Sequence, residues 1–126
     1  MHILLVVFWM AVIFVSSSIP QGFFPTVDSW VWAKLVHLVY FGVLALLIQQ
    51  ALRYQTRWQL LWKYLQLASI LLAVFYGASE EVHQMFTVGR HARVSDVMID
   101  ALGATLFILG SMAIRSLVPK KVGAEE

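Results

Sequence analysis

The segment AKLVHLVYFGVLALLIQQAL, residues 33 to 52, decides the architecture. It carries one charged side chain, Lys34. About 20 predominantly apolar residues is the length an α-helix needs to cross the ~30 Å hydrocarbon core of a bilayer. Composition extends this reading to the whole chain. Of 126 residues, 60% are apolar and 13% are charged, the latter about half of the ~25% usual in soluble domains. Mean hydropathy is +0.78. A soluble domain of this size buries only about 60% of the surface its chain exposes, too little to hide so much apolar area. The sequence therefore predicts a bilayer as its solvent.

Outward from that segment, the chain divides into further apolar runs. Ile3 to Val15 comes first, followed by Ser16-Ser17-Ser18-Ile19-Pro20. Its length and the small residues after it suit a signal peptide, but a signal peptide starts with a basic stretch, and only His2 and the amino terminus precede this run. We read it as a short first span ending at Pro20. Residues 20 to 33 form a loop with Pro20, Gly22, Pro25 and Asp28, closed by Trp30 and Trp32, whose rings suit the membrane–water interface. After the second span, Arg53, Arg57 and Lys63 alternate with Tyr54, Trp58, Trp62 and Tyr64, a second interface. The third span runs from about Leu60 to Ala78 and ends in Ser79, Glu80, Glu81, His83 and Gln84. A turn with Gly89, Arg90, His91 and Arg93 leads to the fourth span, Val94 to Val118, with Ser95 as N-cap and Asp96 in its first turn. Arg115, Pro119, Lys120 and Lys121 mark its end. The expected fold is all-α: a four-transmembrane-helix bundle in one domain, residues 1–121, with a short tail over 122–126.

Four spans place both termini on one side. That side holds six of the nine Lys and Arg (Arg53, Arg57, Lys63, Arg115, Lys120, Lys121), against Lys34, Arg90 and Arg93 opposite. The positive-inside bias puts both termini in the cytoplasm. The outer side then holds five of the seven acids (Asp28, Glu80, Glu81, Asp96, Asp100) and three of the four histidines (His37, His83, His91). Ionisable residues in or beside a span are expensive and by default indicate function.

Helical spacing sharpens the cluster. Gly77, Glu81 and Gln84 share a face of the third helix, with Glu80, His83 and Gln84 as an adjacent stripe. Asp96, Asp100, Gly103 and Phe107 share a face of the fourth, and Lys34, His37 and Phe41 one of the second. Asp100 lies about one turn inside the span, roughly 6 Å below Asp96, and needs a partner there; Arg90, Arg93 and Lys34 are the available cations. Glu81, Gln84, Arg90, Asp96, Asp100, Lys34 and His37 are the candidate binding residues. The competing reading is structural: polar residues at span ends cap helices, snorkel and pair across loops.

Other classes fall away. A net charge of +2 spread over scattered Lys and Arg makes no nucleic-acid patch. Zero cysteines exclude disulfides, thiolate metal sites, iron–sulfur clusters and a Cys nucleophile. Glu80-x-x-His83 has the spacing of carboxylate-bridged metal bundles, but those use two such pairs and further carboxylates. One pair is present, so neither metal nor cofactor is expected. Helices without Gly/Pro-broken segments lack the marks of a transporter. Gly103 and Gly110 offer small surfaces to a homodimer, though no Gly-x-x-x-Gly pair exists.

The stretch Tyr76-Gly77-Ala78-Ser79-Glu80-Glu81-Val82-His83-Gln84-Met85-Phe86, followed by Gly89-Arg90, Ser95-Asp96-Val97, Asp100 and Gly103-Ala104, resembles the signature of VanZ-like membrane proteins. Ser16-Ser17 before a proline, Lys34-x-x-His37, Tyr40 and Phe41 match upstream, so the resemblance covers nearly the whole chain. Two positions depart from the pattern. Asp100 stands where Asn is commoner, and the loop acid that often precedes the lysine is replaced by Trp32 or Ala33. The resemblance implies four transmembrane helices and an envelope role at the outer face of the bacterial plasma membrane. Its motif positions are Glu81, Gln84, Arg90 and Asp96, supported by Lys34 and His37. The family takes its name from a protein linked to resistance to the lipoglycopeptide teicoplanin.

The leading expectation is recognition of an envelope lipid or lipoglycopeptide. Arg90 would grip phosphate or carboxylate, Glu81 and Gln84 would take hydroxyls or amides, and acyl chains would lie between helices. The first alternative is a small membrane enzyme acting on an envelope lipid, with Glu81 or Asp96 as general base and His83 or His37 shuttling the proton. The second is an assembly partner of a larger envelope complex.

Overall fold

The computed structural model describes residues 1–19, 30–55 and 59–117. Asp28 and the rest of the loop over 20–29, Arg57, Trp58, Pro119, Lys120, Lys121 and the expected tail over 122–126 lie outside the described residues. The described residues form helices α1 (His2–Ser18), α2 (Trp30–Tyr54), α3 (Gln59–Lys63), α4 (Leu65–Gln84) and α5 (Val94–Leu117), with no strand among them. The four-helix bundle read from the sequence is therefore present. α2, α4 and α5 are long and apolar enough to cross a membrane, and α1 is a shorter apolar helix.

Three boundaries differ from the sequence reading. α2 begins at Trp30, so Trp30 and Trp32 sit in its first turn rather than closing a loop. The third span breaks at Tyr64, whose φ of −112° and ψ of 34° are not helical. That leaves α3 as a separate turn and starts α4 at Leu65. α4 then continues without interruption through Glu80, Glu81 and Gln84, which fixes their directions as a rigid helix end.

α2 is the central element and packs on α1, α4 and α5. It buries Phe41, Leu44, Ala45 and Ile48, at the i, i+3, i+4, i+7 spacing of one helical stripe. Ile13, Ala73, Ala104 and Ile108 complete the core from the other helices. The distribution of polarity runs opposite to that of a soluble bundle. Buried positions include Gln49, Ser69, Glu80, Glu81, Gln84 and Asp100, while Phe8, Phe75, Leu71, Leu109 and Ile114 face outward. Polar side chains turned inward and apolar ones outward is what a hydrocarbon solvent dictates.

α2 and α5 make the most extensive helix contact, and two glycines set its closeness. A Cβ on Gly103 would fall on the backbone carbonyl of Leu38, and one on Gly42 would fall 2.5 Å from the Phe107 ring. Small residues let helix backbones approach in a membrane, where packing rather than the hydrophobic effect holds helices together. Gly103 is thus an internal contact of the bundle, which corrects its expected place on a dimer surface. Gly110 has open space around it.

α1 is apolar on all sides, so side-chain hydrogen bonds set its rotation. Trp9 Nε1 donates to the Tyr40 carbonyl at 3.0 Å, and the Tyr76 hydroxyl donates to the Met10 carbonyl at 2.8 Å. The antiparallel run of helices brings the C-terminal ends of α1 and α4 and the N-terminal ends of α2 and α5 to one end of the bundle.

Candidate functional site

That end gathers the polar residues singled out in the sequence. On α2, Lys34 and His37 lie one turn apart; on α5, Asp96 and Asp100 do the same. The Lys34 ammonium pairs with the Asp96 carboxylate and also donates to the Ser95 hydroxyl at 2.9 Å. One turn deeper, His37 Nδ1 lies 2.9 Å from Asp100 Oδ1. That carboxylate is only 1% exposed. Asp100 therefore takes its partner from His37, while of the three cations expected for it Lys34 pairs with Asp96, Arg90 bonds the end of α1 and the Arg93 side chain is exposed. Ser95 is likewise Lys34's second partner rather than an N-cap: α5 begins at Val94, and the Asp96 N–H bonds the Arg93 carbonyl.

Glu80 and Glu81 are adjacent, both about 5% exposed or less, and they serve different seams. Glu80 Oε2 accepts the Ser17 hydroxyl of α1, and His83 Nδ1 stands 3.9 Å from the same oxygen. The His83 ring stacks on Phe14 at 4.4 Å between centroids. Glu81 turns the other way, where its Oε2 accepts the backbone N–H of Arg93 at 2.7 Å. His83 is thereby committed to the α1–α4 seam, apart from Glu81. A proton shuttle between the two finds no support in this arrangement.

Gly77 shares the inner face of α4 with Glu81 and Gln84, all three buried. A Cβ on Gly77 would lie 2.7 Å from Asp100 Oδ2 and 3.2 Å from the Phe41 ring. The missing side chain is the space that Asp100's second oxygen fills. That oxygen and Glu81 Oε1 are buried without a hydrogen-bond partner. Leaving a buried polar atom unmet costs about 1–3 kcal/mol, and His83 Nδ1 is a third such atom at this end of the bundle, so the irregularity there is substantial. His37, Glu81 and Asp96 also each offer one ligand atom, all within 4.8 Å of one another. None of these three belongs to the Glu80-x-x-His83 pair considered from spacing.

Arg90 holds a structural position. Its Nε donates to the Ile19 carbonyl at 3.2 Å and its Nη2 to the Ser16 carbonyl at 3.3 Å. These groups close the C-terminal end of α1, where carbonyls lack intrahelical donors and a cation is favoured. The expected grip of Arg90 on a head group gives way to this brace. Gly89, at φ 77°, makes the preceding turn in the left-handed region that glycine adopts without strain. Arg90→Ala should release the end of α1 and lower stability by about 1–2 kcal/mol, while Arg90→Lys recovers only part because it lacks the fork. Thermal unfolding in detergent checks this; equal melting of Arg90→Ala and the parent would sink it. His91 and the Arg93 side chain are exposed. Ser17 stands in the sequence as part of a serine run and of the upstream match to the family pattern, and no spacing rule reveals its partner 63 residues away.

Against known proteins, a family model described as VanZ/LLP1 matches residues 2–115. No curated protein and no solved structure matches the chain.

Proposed function

Since the chain belongs to the VanZ/LLP1 family of membrane proteins, we propose that it is a multi-pass protein of the bacterial plasma membrane that recognises the head group of an envelope lipid or lipoglycopeptide. The observation that carries this reading is the pair of unmet acceptors, Glu81 Oε1 and Asp100 Oδ2, buried at one end of a bundle whose sides are apolar. Hydroxyl, amide or amine donors of a head group would complete them, and Lys34, Gln84 and Asp96 stand beside them for further contacts. The positive-inside count puts this end outside, with both termini in the cytoplasm. An apolar crevice of about 320 Å³ between α1, α2 and α4, lined by Val6, Met10, Ile48, Leu52, Leu72 and Phe75 among others, lies toward the other end of the bundle from the polar cluster, so only a chain long enough to run down the bundle from the head group would reach it. Holding a lipoglycopeptide at the outer leaflet would lower susceptibility to teicoplanin-type antibiotics.

The test is native mass spectrometry of the protein in nanodiscs after exposure to total envelope lipid or to teicoplanin. One class should be retained, and Glu81→Gln should retain at least about tenfold less, the 1.4 kcal/mol that one lost hydrogen bond to a charged group supplies. Equal retention by the two proteins would overturn the reading. The same unmet oxygen also favours a second reading, in which Glu81 is a general base. A retained lipid whose mass changes with time in the parent, and stays constant in Glu81→Gln, would select it.

A further inference from the structure

We propose that His37, Glu81 and Asp96 form a binding site for one divalent transition-metal ion of the zinc type. One ligand atom of each lies within 4.8 Å of the other two. Ligands at about 2.0–2.2 Å from a shared tetrahedral zinc ion stand about 3.4 Å apart, so the three side chains must draw in by up to roughly 1.4 Å to close on it. One imidazole and two carboxylates are the donor set of a zinc-type ion rather than of magnesium, which takes oxygen ligands.

Two further observations point to a ligand here. Glu81 is only 5% exposed, and its Oε1 is buried with no partner, while its Oε2 is held by the Arg93 N–H. That fixed carboxylate presents one acceptor to the cluster. His37 Nδ1 lies 2.9 Å from Oδ1 of buried Asp100, and Nε2 is the ring nitrogen that the proposal assigns to the metal. A metal-bound histidine commonly gives its other N–H to a carboxylate, which fixes the tautomer and the ring direction. Asp100 stands in that supporting place.

Charge argues in the same direction. Glu81, Asp96 and Asp100 bring three carboxylates together, and among the described residues the ammonium ion-paired with them is that of Lys34. A dication would offset the remaining negative charge. Lys34 holds Asp96 Oδ1, and the second oxygen of that carboxylate remains for coordination. Three protein ligands leave a fourth position open, as in zinc sites that bind a further group. The site uses the same unpartnered Glu81 Oε1 as the head-group reading, but His37 and Asp96 complete it without any lipid.

The test uses the full chain in phosphatidylcholine nanodiscs, stripped with a chelator and titrated with Zn²⁺, then separately with Co²⁺ and Mg²⁺. One Zn²⁺ per chain should bind. Glu81→Gln and His37→Gln should each weaken it at least about 30-fold, and Asp100→Asn about 10- to 100-fold. His83→Gln should leave affinity unchanged. Co²⁺ bound to the parent protein should give visible d–d bands distinct from those of the aqueous ion, a readout that needs no variant to fold. The proposal is overturned by a Co²⁺ spectrum identical to the aqueous ion, by no saturable Zn²⁺ binding, by tighter Mg²⁺ than Zn²⁺ binding, or by loss of the metal in His83→Gln but not in Glu81→Gln. Because no envelope lipid is present, a failed lipid-retention experiment leaves this result standing.

Discussion

Replacing His37 by Leu should destabilise the bundle by about 3 kcal/mol or more. Asp100 is 1% exposed, and its Oδ1 has His37 Nδ1 as partner at 2.9 Å. Its Oδ2 already lacks a partner. Removing the imidazole would leave a carboxylate at the α2–α5–α4 junction with neither oxygen satisfied. Breaking a buried pair from one side costs about 3–5 kcal/mol. Removing both partners should cost far less, because the desolvation of Asp100 disappears with it. The double variant His37→Leu/Asp100→Leu should therefore recover most of the loss. A double-mutant cycle on unfolding in detergent measures this coupling, expected near the upper end of the 0.5–3 kcal/mol seen for contacting residues. A single variant as stable as the parent, or a double variant whose loss is the sum of the two single ones, would show that the contact carries no stability.

That pair also shows what the sequence discloses about this site. The period of 3.6 placed Lys34 and His37 on one face of a helix, Asp96 and Asp100 on another, and Glu81 and Gln84 on a third. All three faces do meet at one end of the bundle. Such faces are legible because a helix fixes directions within itself. Pairing between helices is a different quantity, set by their rotation and depth against one another. A cation is the natural expectation beside a buried acid, yet His37 is the residue at the depth of Asp100, and Lys34 meets Asp96 one turn above. Glu80 and Glu81 illustrate the same point. One residue apart, they differ by about 100° around the helix, enough to send one to Ser17 on α1 and the other to the Arg93 N–H.

α1 was the least legible element. Its sequence is apolar all round, so no stripe announces which side faces in. Its position depends on single hydrogen bonds reaching from Tyr40, Tyr76, Glu80 and Arg90, each across more than 30 residues of sequence. In hydrocarbon, a lone polar group has few alternatives to such a partner, so a few contacts suffice to orient a featureless helix. Arg90 is the clearest consequence. Read in its loop it resembles an anion-binding side chain, and its geometry instead makes it the donor that closes α1.

Gly103→Ala tests how far the site depends on helix approach. The added Cβ would fall on the backbone carbonyl of Leu38, with its carbonyl carbon 2.8 Å and its Cα 2.9 Å away. A side chain in that place would rotate aside, but a helix backbone cannot, so α2 and α5 must separate. Overpacking costs about 1–3 kcal/mol, and a backbone obstacle belongs at the top of that range. Leu38 adjoins His37, and Gly103 lies one turn from Asp100. Separation there lengthens the 2.9 Å contact between His37 and Asp100, so the variant should lose metal affinity together with stability. Gly110→Ala on the same helix is the control. Its Cβ would meet nothing within 4 Å, and alanine is the better helix former by about 1 kcal/mol, so this variant should match the parent or exceed it. If both alanine variants unfold alike, the close approach at Gly103 does not hold α2 against α5. If Gly103→Ala alone falls, and takes Zn²⁺ binding with it while Gly110→Ala keeps both, then one missing methyl group sets the distance at which His37 and Asp100 meet.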